Sequence, residues 1–176
     1  MSSAVLKELL THQEWADAAV WAAVLACDGA VADGRIRELL VHSHQTLAAY
    51  LQLWHGEQLE LPEPDDFPDL AAVAAWARQR HAAVAWYAGS LEAADLDRAI
   101  EFPWAAQLAS RFGQVHPATV GQSIIQLALH SAYHRGQVNA RLRELGGTPP
   151  LVDFIAWVWA GQPAPEWRGQ AAPRLD

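Results

Sequence analysis

The sequence predicts an all-helical domain, and three observations carry that expectation. Apolar residues make up 52% of the 176 positions, and most are Ala, Leu and Val set at three- and four-residue steps rather than in strict alternation. Four stretches keep that period for several turns. Each stretch is bounded by a capping residue, a glycine or a proline, the signals that start and stop helices.

The first helix is expected from Ser3 to about Cys27, with Ser3 as its cap and Val5, Leu9, Ala16, Val20 and Val24 inside. Asp28-Gly29 closes it, and Trp15 and Trp21 read as packing aromatics. The second runs from about Arg35 to Trp54 between Gly34 and Gly56, burying Ile36, Leu39, Leu40, Leu47, Leu51 and Trp54. The proline-rich segment Leu61 to Pro68 follows, and its length allows consecutive helices to lie parallel where a tight turn would force them antiparallel.

Asp69 is placed to cap a third helix ending near Ser90, with Leu70, Val73, Ala77, Val84 and Tyr87 facing inward. On it, Arg78, Gln79, Arg80 and His81 read as a solvated shoulder. From Leu91 to Ala118 the pattern weakens. Pro103, Gly113 and Pro117 argue against a long helix, Ala99 to Trp104 suits a short extended piece, and the whole segment is a candidate lid. Thr119 and Gln122 then have capping-box spacing, and Val120, Ile124, Leu127, Ser131, Val138, Leu142 and Leu145 form the stripe of a fourth helix stopped by Gly146-Gly147. Leu151 to Trp159 is expected as a short apolar helix. Residues 1–160 thus form the domain, and 161–176 a tail docked on a neighbour through Trp167.

Composition narrows the function. A formal net charge of -8 leaves no broad basic surface, so nucleic acid is not an expected partner. No apolar run reaches the roughly 18 residues that span a bilayer, and the start MSSAVLKELL carries Glu8, unlike a secretory signal. A cytoplasmic protein is expected. Cys27 is the single cysteine, which rules out an intrachain disulfide and a cysteine-rich zinc cage. Its place near a helix C-terminus, where the dipole disfavours a thiolate, makes it a poor nucleophile.

Any metal must therefore be held by nitrogen and oxygen, and the fourth helix offers the spacing for it. His130 and His134 are one turn apart on one edge, near enough for two imidazoles to hold one ion. On the second helix His42 and His44 lie about 200° apart around the axis. One of them can serve as a third ligand, not both, and phase does not choose. His12 reads as a surface or hydrogen-bonded histidine. Ser131 follows His130, so the HExxH motif of zinc proteases, with its adjacent glutamate base, is missing. Glu57 and Asp153 are the remaining candidates for a base, while Gln137 and Arg141 read as a solvated margin of the histidine edge.

The phrase His130-Ser-Ala-Tyr-His134-Arg135-Gly136-Gln137, with Leu39-Leu40-Val41-His42 upstream, resembles the DinB/YfiT-like superfamily of metalloenzymes. The family pattern is a histidine, three residues, then His-Arg-Gly-Gln, preceded by two apolar residues, one variable residue and a histidine. The likeness extends from the Trp15 region to about Trp159, and TPPLVDFIAWVW is similar to the family's closing helix. It implies a four-helix bundle in up-down-down-up order with a long crossover, frequently dimeric, holding one divalent metal through His42, His130 and His134. His44, two residues beyond the expected ligand, departs from the pattern.

Three neutral imidazoles would leave a dication close to its full charge with a position open. Zinc, nickel, iron and manganese all suit nitrogen ligands. Similarity to thiol-transferase members implies transfer of a low-molecular-weight thiol to a small electrophile. Hydrolysis and a non-catalytic, stress-associated metal-binding role are the competing expectations.

Overall fold

Each apolar stripe anticipated in the sequence finds a partner stripe, and the architecture follows from how they pair. The computed structural model describes residues 2–167. Four long helices, α1 (Ser3–Leu25), α3 (Gly34–His55), α4 (Leu70–Ser90) and α6 (Val120–Glu144), form an all-α bundle. Three short helices, α2 (Asp28–Val31), α5 (Ala105–Phe112) and α7 (Phe154–Trp159), accompany them.

α1 and α3 each pack against both α4 and α6, so they face one another across a diagonal. Asp17 meets Arg135 and Cys27 meets Leu145, so α1 and α6 run in the same direction. Lys7 meets Gly89 and Asp17 meets His81, so α4 runs against α1. Trp54 meets Ser123 while His42 stands against His134, which sets α3 against α6. The order is up-down-down-up. The consecutive parallel pair α3 and α4 is what the long 56–69 connection makes possible.

Local chemistry fixes the helix ends. Asp33 and Asp69 accept the Ile36 and Ala72 amides at 2.9 and 2.8 Å, and Thr119 and Gln122 form the expected capping box; each such cap is worth about 1 kcal/mol. Gly56 closes α3 in the left-handed region, φ 73°, which a side chain would resist.

Two apolar clusters fill the bundle, one around Leu47, Trp54, Ile124 and Leu127 and the other around Trp21, Ile36, Val73 and Leu142. Between them every long helix contributes buried polar groups: Gln13 and Asp17, Ser43 and His44, His81, and Ser131, His134 and Arg135. This polar band crosses the bundle at mid-height and includes His134.

Several boundaries differ from expectation. Val5 is 53% exposed and Leu6 and Leu10 are buried instead, because the first turns of α1 meet the bundle one residue out of the phase read from Val5 and Leu9. α1 ends at Leu25, and α2 supplies an extra turn at Asp28–Val31. α5 was not anticipated. Pro103 and Gly113 bracket it rather than prevent it, since proline is tolerated just before a helix and Gly113 takes φ 74° at its end. The extended piece is real but short: Ala99–Ile100 pairs with Ala118–Thr119.

The chain after α7 returns to the bundle. Trp157 Nε1 donates to the Pro163 carbonyl at 3.0 Å, and Trp167 Nε1 donates to Glu14 of α1 at 3.2 Å. Trp167 therefore docks on its own chain; residues 168–176 of the expected tail lie outside the described residues. No helix among the described residues is long and apolar enough to cross a membrane.

Candidate metal centre

The antiparallel packing of α3 on α6 brings His42 opposite the His130–His134 edge. One ring nitrogen from each of the three lies within 4.8 Å of the other two. The ring centres are 5.4 Å apart for His42 and His130, 4.7 Å for His42 and His134, and 4.4 Å for His130 and His134. The group spans the boundary of the fold: His42 is exposed, His130 half-buried and His134 9% exposed.

The electrostatics favour neutral rings. Burial pushes His130 down to about 4, with the neighbouring His134 and His42 rings acting in the same direction. Burial, then His134, lowers His42 as well. At neutral pH both keep a lone pair for a cation. His134 Nδ1–H donates to Gln137 Oε1 at 2.7 Å, an acceptor-only partner that leaves the lone pair on Nε2. Gln137, expected as a solvated margin, thus orients a ring of the group. Thr46 Oγ1 lies 3.3 Å from His130 Nε2.

Beside the group opens a cavity of about 360 Å³, lined by His42, His130, Gln45, Thr46, Tyr50 and Trp104 among others. Among the described residues no acidic side chain lines it. Glu57, just past the end of α3, and Asp153, at the start of α7, are not brought to the histidines. Arg141, the other proposed margin residue, pairs with Asp33 at 2.6 Å and Glu144 at 2.9 Å. His12 packs between Trp157 and Phe154, with Nε2 3.0 Å from the Val152 carbonyl. Cys27 lies 3.8 Å from the Leu145 carbonyl, away from the cavity.

His44 belongs elsewhere. Two residues past His42 it turns into the bundle, where Nδ1–H donates to the Leu40 carbonyl at 2.8 Å and Nε2 receives Trp21 Nε1–H at 3.4 Å. The alternative left open by helix phase is thereby decided by packing: the ring that stands with His130 and His134 is His42.

His44 lies in a second cluster with Asp17 and His81, all three buried. His81 Nε2–H donates to Asp17 Oδ2 at 3.0 Å and Arg135 Nη1 to Oδ1 at 3.0 Å. Burial by itself raises the Asp17 carboxyl, but Arg135 and His81 outweigh it and hold the group well below the usual carboxylate range. Both oxygens are already paired, one with a fixed cation, so this cluster suits a structural ion network better than a metal. Sequence reading missed it. His81 had looked like part of a solvated shoulder and is 2% exposed; the one available signal was Asp17, an acidic residue flanked by Ala16 and Ala18 on the apolar side of α1.

The His-Arg-Gly-Gln phrase now divides by role: His134 faces the open group, Arg135 anchors α6 to Asp17 of α1, and Gln137 sets the His134 ring. No curated protein matches the sequence. The family model of the DinB family matches residues 1–168. With the helical bundle and a possible three-histidine metal site in agreement with it, the chain belongs to the DinB family.

Proposed function

We propose that His42, His130 and His134 hold a divalent metal ion and that the centre catalyses transfer of a low-molecular-weight thiol to small electrophiles. The observation that carries the reading is the convergence of three imidazoles, one nitrogen each within 4.8 Å, on a cavity with room for a ligand. Nitrogen donors without a carboxylate suit zinc, nickel, iron or manganese over calcium or magnesium. When bound, such an ion supplies positive charge that favours a thiolate over its thiol and polarises an electrophile.

The surroundings favour transfer over hydrolysis. Water with a pKa near 15.7 commonly needs a base or a strongly activating metal, and among the described residues no carboxylate lines the cavity. A thiol, near 8.5, ionises with far less help. In the reaction the thiol proton passes to solvent and the sulfur forms a bond to the electrophilic carbon. In a substitution the bond to the leaving group breaks and its electron pair departs with that group, as bromide from a bromoalkyl substrate; in an addition the displaced pair moves to the adjacent carbon, which takes up a proton. Gln137 holds the His134 ring in place, while the wall of Tyr50 and Trp104 limits water around the reacting atoms. A cytoplasmic setting, where small thiols stay reduced, suits this chemistry.

A homodimer is part of the reading. It is supported by exposed apolar side chains one turn apart on α6, Leu129 at 63% and Tyr133 at 65%, and mass measurement by light scattering checks it.

The test is elemental analysis of untagged protein together with adduct formation from a panel of thiols and the neutral electrophile monobromobimane. The reading expects about one transition metal per chain in the native protein, none in His130→Ala, and adduct formation above background only with metal and thiol present. Turnover of ester or amide substrates without any thiol would replace it with a hydrolase. Metal whose removal unfolds the chain, with no turnover of either kind, would replace it with a structural metal site.

A further inference from the structure

The cavity beside the histidines does not end there. It shares Tyr50, Trp104 and Gln126 with a second hollow of about 490 Å³ that continues beneath α5. Tyr50, Phe102 and Trp104 form an aromatic wall between them, ring centres 5.2 to 6.1 Å apart. Beyond it Leu108, Phe112 and Val115 are 39%, 69% and 41% exposed. Neither lining contains Asp, Glu, Lys or Arg among the described residues.

α5 makes this arrangement unusual. It has eight residues and buries none of them, although a helix this short has little stability of its own and normally depends on an apolar face packed against a partner. Its apolar side chains instead line the trough. The connection is held in place at its ends, by the pairing of Ala99–Ile100 with Ala118–Thr119 and by Arg98 Nη2 donating to the Trp54 carbonyl at 2.7 Å.

We infer that this trough binds the aromatic or alicyclic body of an uncharged substrate, with α5 closing over it and the reacting end directed at His130. Both hollows fall within the roughly 300–1,000 Å³ typical of small-molecule sites. An anionic body would lose its hydration there without gaining a cation, a cost that an uncharged ring system does not meet. Gln126, common to both hollows, supplies a polar contact that fixes orientation. The inference deepens the proposed function and takes from it the position of the reacting end; the trough itself can be tested without turnover.

The experiment is fluorescence titration of the metal-free full chain with N-phenyl-1-naphthylamine, an uncharged probe, in competition with 2-naphthylmethanol and with 2-naphthoate. Saturable binding at one probe per chain is expected, displaced by the alcohol at least about tenfold more readily than by the carboxylate. Leu108→Glu and Val115→Asp, both at partly exposed positions, should each weaken the probe about tenfold or more while circular dichroism and melting are retained. His134→Ala, which removes no lining residue, should leave probe binding unchanged even where it abolishes metal uptake; that pair of results separates failure of the metal reading from failure of the trough. Equal displacement by alcohol and carboxylate would overturn the inference, as would indifference of the probe to both charged variants. So would a native dimer that Leu108→Glu converts to monomers, since the face would then be an interface between copies.

Discussion

The two histidine clusters of this bundle lie side by side and in opposite electrostatic regimes. His42 and His44 are two residues apart on α3, and His134 and Arg135 are consecutive on α6, yet each pair is divided between the clusters. The outer cluster has three imidazoles, no carboxylate, and a cavity at its mouth. The inner one has a carboxylate whose two oxygens are taken by Arg135 and His81, with His44 4.0 Å away. Histidine content alone therefore says little about a site. What distinguishes the two is which charges have come with the rings and whether an oxygen or nitrogen is left to bind anything else.

The sharpest way to break the comparison is at the inner cluster. Asp17→Asn should leave Arg135 buried without a counter-charge and cost about 3–5 kcal/mol of unfolding free energy in urea, since removing one partner of a buried pair strands the other. A loss under 1 kcal/mol would show that the inner network contributes nothing to stability. The outer residues should behave differently: His42→Ala in metal-free protein changes an exposed group and should stay within about 0.5 kcal/mol.

Acid tests the inner cluster next. His44 is buried neutral, pushed down to about 4 by burial, so the unfolded chain binds its proton first. Stability is full above about pH 6.5, the unfolded value, and falls as pH drops toward 4, by of order 2–3 kcal/mol. Asp17 has the same sign from a different cause. Its folded pKa is depressed, so its contribution is present above about pH 4 and declines below it. His130, also pushed down to about 4, acts in the same window, so urea midpoints are taken on metal-free His130→Ala protein between pH 7.5 and 3.5 and should show both phases; a flat profile from 6.5 to 4 would mean that His44 is not held neutral.

The remaining tests sharpen the comparison from the outer side. His130→Ala should lower metal affinity at least about a hundredfold, beyond the range for an outer supporting residue, measured by competition with a chromogenic chelator. Gln137→Leu removes only the acceptor that orients His134, and about 10–100-fold weaker binding is expected. If His44→Ala emptied the metal site as His130→Ala does, the two clusters would act as one.

Much of the architecture could be read in the chain because it rests on local chemistry. Asp69, Thr119 and Gln122 cap where their spacing placed them, and the stripes of α3 and α4 are buried as expected. α5 escaped notice because its apolar face meets a hollow instead of a packed helix, and Pro103 and Gly113 read as breaks. The start of α1 was misphased because Val5, Leu6, Leu9 and Leu10 offer two apolar stripes, and only the neighbouring helices decide between them.

The same division holds for the site. The sequence by itself determined that His130 and His134 share an edge, since a pair four residues apart on a helix must do so, and that a single cysteine cannot build a cysteine-rich metal cage. Helix phase left His42 and His44 equivalent, because phase is measured against a partner the chain does not name, and only the family resemblance of Leu39-Leu40-Val41-His42 pointed to His42. Only the tertiary structure, by setting α3 antiparallel on α6, turned one ring to the cavity and the other toward Asp17. The same packing made an ion partner of Arg135, 118 positions from Asp17 in sequence, a pairing that no local rule encodes.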